Sequence, residues 1–311
     1  MARALLAVDT PNLYFRAFHG IPTSAATADD GSPVNAVRGF VDMLATLIRT
    51  RAPDRMVCAL DTDWRPAWRV ELLPSYKTHR VAADGDEEVP DELVPQVPII
   101  LDLLAAVGIP ALGAPGYEAD DVLGTLATAQ PGPVEVVSGD RDLFQLVDDG
   151  APVRLLYCAR GVANLEVSDE AAVRARFGVP ASAYVDFAVL RGDPSDGLPG
   201  VNGVGDKTAA RLIDRYGSLE ALLAALDDPQ AGFAPGLRAK LVAARDYLAL
   251  APRVVRVVRD VPLGAFDPRL PDVPGDADRV LALARKWNLA GPCQRLVDAM
   301  SQARAAEGAA G

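Results

Sequence analysis

Apolar residues follow two rhythms along this chain of 311 residues. Three short, mostly apolar runs, Ala4–Val8, Arg55–Leu60 and Val134–Val137, are each closed by acidic or turn-forming residues. Runs of that length, bounded in that way, suit strands buried on both faces. Between them the apolar positions recur at helical spacing. Val37, Phe40, Val41, Leu44, Leu47 and Ile48 make one stripe; Val97, Ile100, Leu101, Leu104 and Val107 make another, ended by Gly108 and Pro110. Further helical stretches are predicted at Val122–Ala129, at Ala181–Leu190 and from Asp206 to about Tyr216. Strand alternating with helix predicts an α/β fold whose mostly parallel sheet is flanked by helices.

The strand ends carry a chemical signal. Asp9, Asp61 and Asp140 each stand at the carboxyl end of a predicted strand, the edge at which open parallel sheets bind ligands. One Asp there is ordinary turn chemistry; three of three point to a site. Glu118-Ala119-Asp120-Asp121 opens a helical stretch, Asp140-Arg141-Asp142 follows a strand, and Asp193-Pro194-Ser195-Asp196 lies in a loop. One or two acids in a first helical turn serve the helix dipole, but three in four residues repel one another unless a cation joins them. The nine carboxylates Asp9, Asp61, Glu118, Asp120, Asp121, Asp140, Asp142, Asp193 and Asp196 offer oxygen alone, which suits Mg²⁺, with Mn²⁺ as a substitute. Two such ions about 3.5–4 Å apart can activate a water and stabilise the leaving oxygen of a phosphodiester.

Composition changes the picture less than the distribution of charge does. The formal net charge is −11, which taken alone argues against a phosphate-rich partner. Yet Val81–Asp149 holds fifteen acids against one base, Arg141, while Val201–Asp260 holds nine bases and seven acids. The chain is an acidic segment between two mildly basic ones. No apolar run approaches a membrane span. Cys58, Cys158 and Cys293 lack metal or disulfide spacing and read as reduced thiols. With His19 and His79 as its two histidines, the chain has little material for a zinc site or a Ser-His-Asp triad.

The basic flanks carry the remaining motifs. Gly197-Leu198-Pro199-Gly200-Val201-Asn202-Gly203-Val204-Gly205-Asp206-Lys207-Thr208 lies between two helical stretches. Its glycines permit a tight hairpin whose backbone N–H groups approach a phosphate, with Lys207 and Arg211 on one helical face. Asp206 separates Gly205 from Lys207, so this is no Walker A loop; helix–hairpin–helix fits better. Upstream, Arg69, Lys77 and Arg80 are placed to contact a phosphate chain, with Tyr76 or Trp68 stacking on a base. Val81–Pro95, rich in Asp, Glu and Pro, reads as a flexible loop.

In this order the motifs resemble the 5′→3′ exonuclease, or flap endonuclease-like, family: the nuclease domain of bacterial DNA polymerase I and its free-standing relatives. The residues that carry the resemblance are Asp9 with Phe15-Arg16-Ala17-Phe18, Gly39-Phe40, Asp61, Tyr76-Lys77 with Arg80, Gly116–Leu123, Ser138–Leu146 and Gly192–Leu212. The resemblance implies a PIN-like nuclease unit over 1–170 with an arch at about 64–95. A helix-three-turn-helix DNA-binding unit would follow over 171–260, then a packing segment over 261–300 and a disordered tail over 301–311. It implies that all nine acids hold two Mg²⁺, with Asp120 and Asp140 central to catalysis. Lys77 and Arg80 would steer the scissile phosphate. Arg16, Arg69, Tyr76, Gly200, Gly203, Gly205, Lys207, Thr208 and Arg211 would contact DNA, with K⁺ at the hairpin. The implied substrate is DNA with 5′ ends, flaps or nicks, or an RNA-primed duplex. A separate DNA polymerase would act in the same pathway, and the protein would be a cytoplasmic, nucleoid-associated monomer. Two departures stand out: Thr10-Pro11-Asn12 replaces the usual small pair after Asp9, and Arg38 stands where a Tyr is common. A DNA-structure binding protein with weak cleavage, a PIN-type or RNase H-like ribonuclease, and a hydrolase of small phosphoesters remain as rivals.

Overall fold

The computed structural model describes residues 3–83 and 85–308. Six strands form one sheet: β1 (Leu5–Asp9), β2 (Arg55–Ala59), β3 (Ala111–Leu112), β4 (Val134–Ser138), β5 (Val153–Tyr157) and β6 (Glu166–Ser168). Their order is β3-β2-β1-β4-β5-β6. The first five run parallel and β6 lies antiparallel on β5. Alternation along each strand divides the side chains between two cores. Leu5, Ala7, Val57, Ala59, Val134 and Val136 face one; Leu6, Val8, Met56, Cys58, Val137 and Leu156 face the other. A sheet covered on both sides explains the mostly apolar runs. The polar exception in β4, Glu135, is matched by an ion pair to Arg51.

Helices α1 (Thr10–Gly20), α2 (Asn35–Arg51), α3 (Ala67–Leu72), α4 (Gln96–Val107), α5 (Ala119–Ala129) and α6 (Glu170–Phe177) complete the first unit. Asp9 ends β1 and caps α1, its Oδ1 accepting from Asn12 N at 3.1 Å, and Pro11 sits in the first turn where its missing N–H costs nothing. The stripes read from the sequence form α2 and α4. The helical module comprises α7 (Tyr184–Arg191), α8 (Asp206–Tyr216), α9 (Leu219–Ala225), α10 (Pro235–Ala243) and α11 (Arg245–Val255). It does not stand apart: one hydrophobic core runs from β1 and α5 through Phe144, Tyr184 and Phe187 to Leu212 and Leu248.

After residue 260 the chain returns to the first unit. Helices α12 (Ala277–Lys286) and α13 (Ala290–Gly308) bury Val280, Leu283, Leu296 and Met300 in the core shared with α2 and α4. The segment 301–311, expected to be a disordered tail, is instead helical through Gly308, and its last three residues lie outside the described ones. The reason is apolar anchoring: Ala299, Met300 and Ala303 are buried, and Arg295 ties α13 to Asp42 of α2 at 2.8 Å. The acidic loop after Arg80 also has structure. Val81 and Glu87 form an antiparallel bridge, and Glu88 N donates to Arg80 O at 2.7 Å.

Candidate active site at the carboxyl edge of the sheet

Because β2, β1 and β4 are neighbours, their carboxyl ends bring Asp9, Asp61 and Asp140 to one edge, where the strand order reverses about β1. A cleft of about 580 Å³ opens there. Asp9, Asp61, Glu118, Asp120 and Asp140 line it together with Asn12, Arg16, His19, Lys77, Arg80 and Glu87. Asp120 and Asp140 are half-buried, Asp61 lies at the exposed mouth and Asp9 at the buried floor. Asp9 Oδ2 accepts from Ser138 Oγ at 2.6 Å, Asp61 Oδ1 from Ala119 N at 2.7 Å, and Asp140 Oδ1 from Asp142 N at 2.8 Å.

These acids share an excess of negative charge. Removal from water pushes the Asp9 carboxyl up to about 7, against the pull of its hydrogen bonds from Ser138 and Asn12. The same burial holds Asp120 well above the usual carboxylate range, with Asp140 and Asp9 adding repulsion. Asp142 is likewise raised, first by burial and then by Asp140, Asp196 and Asp193. Its Oδ1 is buried with no hydrogen-bond partner among the described residues. An orphaned carboxylate oxygen beside an oxygen-only donor set fits a hard cation. The acids line the cleft without closing into a ready cage: among the described residues no three ligand groups are drawn together in that way.

A second group of acids has cationic company. Arg69 is buried at 2% exposure. It pairs with Glu118 and, in a two-pronged bond of 2.7 and 2.9 Å, with Asp121. Asp121 also accepts from Val258 N at 2.8 Å and from Glu118 N at 3.2 Å, so it caps α5 and anchors the segment after α11. Tyr76 is buried and its hydroxyl donates to Glu118 Oε2 at 2.8 Å. Lys77 pairs with the opposite edge of the same carboxylate. Asp193 is held by Arg191 at 3.1 Å and Arg141 at 3.3 Å, and Asp196 by Arg80 at 3.2 Å.

Several expectations are corrected here. Arg69 and Tyr76 were expected on DNA; both are buried and spend their polar atoms on Glu118 and Asp121, because a guanidinium and a phenol can enter the interior only with partners. Trp68 is likewise occupied, its Nε1 donating to Gly116 O at 3.1 Å. Asp121 was expected among the metal ligands; it faces Arg69 and backbone N–H groups instead. Asp140 and Asp142, two positions apart, part company. The turn between them sends Asp140 into the cleft and Asp142 into an adjoining crevice with Asp120 and Asp196. Gly200 serves packing: at φ +64° it lets the chain pass Arg191, whose carbonyl a Cβ would meet at 2.5 Å. Gly203, Gly205, Lys207 and Arg211 are exposed on the hairpin face and Thr208 is half-buried.

The segment expected as an arch is a compact clamp made of α3 and a tight turn at Thr78–Arg80. Lys77 takes the left-handed conformation, φ +48°, which is uncommon for a residue with a Cβ. Its N–H donates to Asp196 O at 3.0 Å. Any side chain at Gly197 would strike the Ser75 carbonyl. The clamp therefore rests on the Asp193–Gly197 loop and delivers Lys77 and Arg80 to the cleft. Sequence reasoning missed Asn12, whose Oδ1 accepts from Gly139 N at 3.0 Å, and Ser138, the partner of Asp9. It also missed Glu87, carried into the cleft by the Val81–Glu87 bridge. Asn12 lies in the departure after Asp9, which was the available signal.

Family comparisons fit this geometry. Residues 4–178 match the 5′-3′ exonuclease N-terminal resolvase-like domain, and residues 179–271 match the 5′-3′ exonuclease C-terminal SAM fold. The chain belongs to the 5′-3′ exonuclease family. It is 52% identical over 299 residues to the 5′-3′ exonuclease of Streptomyces coelicolor, covering 94% of this chain and 99% of that protein. It is 52% identical over 314 residues to that of Mycobacterium tuberculosis, covering 96% and 98%. DNA polymerase I of Mycobacterium bovis is 39% identical over 279 residues, 89% of this chain but 29% of that longer protein. Among solved structures, the T5 5′-exonuclease with bound zinc superposes with a TM-score of 0.62 at 17% identity, covering 96% of this chain and 99% of that one. The catalytic core of Rad2 in complex with DNA gives 0.62 at 17% identity, covering 97% and 93%. As a member of the 5′-3′ exonuclease family the protein is a nuclease. Among the described residues no helix is long and apolar enough to cross a membrane.

Proposed function

We propose that the protein is a divalent-metal-dependent, structure-selective 5′ nuclease that hydrolyses DNA phosphodiesters at 5′ ends and flap junctions, in primer removal and repair alongside a separate polymerase. One observation carries the reading: five crowded carboxylates at the carboxyl edge of the sheet, of which Asp9, Asp61, Asp120 and Asp140 make no ion pair among the described residues, share a cleft with Lys77 and Arg80. Asp9, Asp61, Glu118, Asp120 and Asp140 would hold one Mg²⁺. Asp142 and Asp196 would hold a second, with Asp193 joining them on release of its arginines. When bound, such a pair of ions activates water and offsets charge on the departing oxygen.

The chain's own residues supply the rest. Lys77 and Arg80, fixed by the clamp, orient the scissile phosphate and stabilise its developing charge. Ser138 and Asn12 hold Asp9 and the Gly139 turn in place. Gly203, Gly205, Lys207, Thr208 and Arg211 grip the duplex backbone, and Arg16 lines the approach from the cleft. The net charge of −11 is compatible with DNA because much of it lies at the ion site.

The test uses 5′-flap, nicked and RNA-primed duplexes labelled at the 5′ end, incubated with Mg²⁺ or with EDTA. Mg²⁺-dependent release of short labelled products from the flap and nick is expected. Cleavage of none of the three substrates would sink the proposal, and cleavage of RNA-primed duplex alone would redirect it to a primer ribonuclease.

A further inference from the structure

Lys240 belongs to α10, more than thirty residues beyond the hairpin, yet its ammonium lies against the hairpin backbone. A Cβ built on Gly203 would come within 2.6 Å of Lys240 Nζ, and apart from its two chain neighbours no other of the described residues comes within 4 Å of that position. Gly203 sits at φ +73° at the tip of the turn closed by Val204 N donating to Val201 O at 2.9 Å. Asn202, Gly203 and Gly205 are exposed there. Lys207 and Arg211 follow the same turn closely in the chain, at i and i+4 of α8, and both are exposed. Arg211 reaches Lys207 O at 3.2 Å and so stays on that face.

The three cations are not neutralised. Among the described residues neither Lys207 nor Lys240 makes an ion pair, and the neighbouring acid Asp206 lies 3.9 Å from Arg191. Gathering like charges around one exposed turn is unfavourable unless an anion joins them. Val201 and Val204 anchor the turn in the core, but its tip, Asn202 and Gly203, is exposed, so the ammonium of an exposed lysine beside it has no packing role to fill there.

We infer that Lys240 is a further DNA-contacting residue, which seats one backbone phosphate of the duplex on the Val201–Val204 turn between itself and Lys207. This rests on the reading of the protein as a DNA nuclease and adds to it a contact from outside the hairpin motif. A Lys treats a phosphate as a point charge, so the contact reports on backbone position and carries no base preference.

The experiment measures binding of a fluorescent 5′-flap duplex in EDTA, which prevents cutting, at several salt concentrations. It compares wild type, Lys240→Ala, Lys240→Arg and Arg285→Ala, the last an exposed cation on α12 that removes the same charge far from the hairpin. Loss of one phosphate contact should weaken affinity several-fold for Lys240→Ala. It should also make log K against log[salt] shallower by about 0.9. Lys240→Arg should keep most of the affinity, and Arg285→Ala should match wild type. Unchanged affinity and slope in Lys240→Ala, with wild type still binding and the family activity intact, would overturn the inference and leave the nuclease reading standing. An equal slope change in Arg285→Ala would assign the effect to overall charge and overturn it too. Wild type that bound no flap duplex and cut none would remove the nuclease reading itself.

Discussion

On one side of the α5 N-terminus, Asp120 shares a cleft with Asp9 and Asp140, and none of these three makes an ion pair among the described residues. One residue later, Asp121 is clasped by buried Arg69 and by two backbone N–H groups. The two acids are neighbours in sequence and carry the same chemistry, but their surroundings assign them opposite work. The cleft side holds more negative charge than Lys77 and Arg80 offset, and an arriving cation can balance the rest. The Arg69 side has its balance built in, and it braces the cleft wall. Burying a guanidinium with two carboxylates is costly in itself, so its return is geometric: it fixes Glu118 between Arg69, Tyr76 and Lys77.

Substitutions can break this division, and the largest effects belong to the cleft. Asp120→Ala or Asp140→Ala should lower cleavage by at least on the order of 10²–10³-fold, the scale on which single electrostatic groups act in catalysis. The same variants should unfold at an equal or higher temperature, because repulsion is relieved. Calorimetry beside single-turnover assays checks both, and a fall in Tm without loss of cleavage would contradict the assignment.

Next in size is the brace. Arg69→Met leaves two buried carboxylates without their partner and should cost about 3–5 kcal/mol of stability, read from urea midpoints. Adding Asp121→Leu should recover part of that loss, since the two sites share one interaction. Full additivity would mean that the pair is not coupled as the structure has it. Gly197→Ala should cost more than about 1 kcal/mol through its positive φ and the Ser75 carbonyl, and should reduce cleavage by loosening the clamp under Lys77. The smallest expected effect is that of Arg141→Gln. Its pair with Asp193 is half exposed and should be worth no more than about 1 kcal/mol.

The same division marks how far the sequence could be read. The strands, the main helices and the meeting of Asp9, Asp61 and Asp140 were legible because period and strand ends are local signals. So was the hairpin, from its glycines. Partner choice was not legible. Nothing in Glu118-Ala119-Asp120-Asp121 says which acid meets Arg69, because the guanidinium arrives from α3, some fifty positions earlier. Arg69 and Tyr76 looked like surface contacts since basic and aromatic residues near a site usually are; Arg69 is buried by the fit of α3 against α11, where its Nε donates to Val254 O at 3.0 Å, and Tyr76 by its bond to Glu118. The tail looked disordered because Ala and Gly carry weak periodicity; the face of α2 that buries α13 decides its helix.

The account's central claim is that the divalent cations gather on Asp9, Asp120 and Asp140, which make no ion pair among the described residues, and that Asp121, clasped by Arg69, takes no part. Calorimetric titration of the metal-free protein with Mg²⁺, and with Mn²⁺ as the tighter probe, tests it directly in wild type, Asp120→Ala and Asp121→Asn. The account predicts binding in wild type, marked loss in Asp120→Ala and retention in Asp121→Asn at temperatures where that variant remains folded. Loss in Asp121→Asn with retention in Asp120→Ala would contradict it.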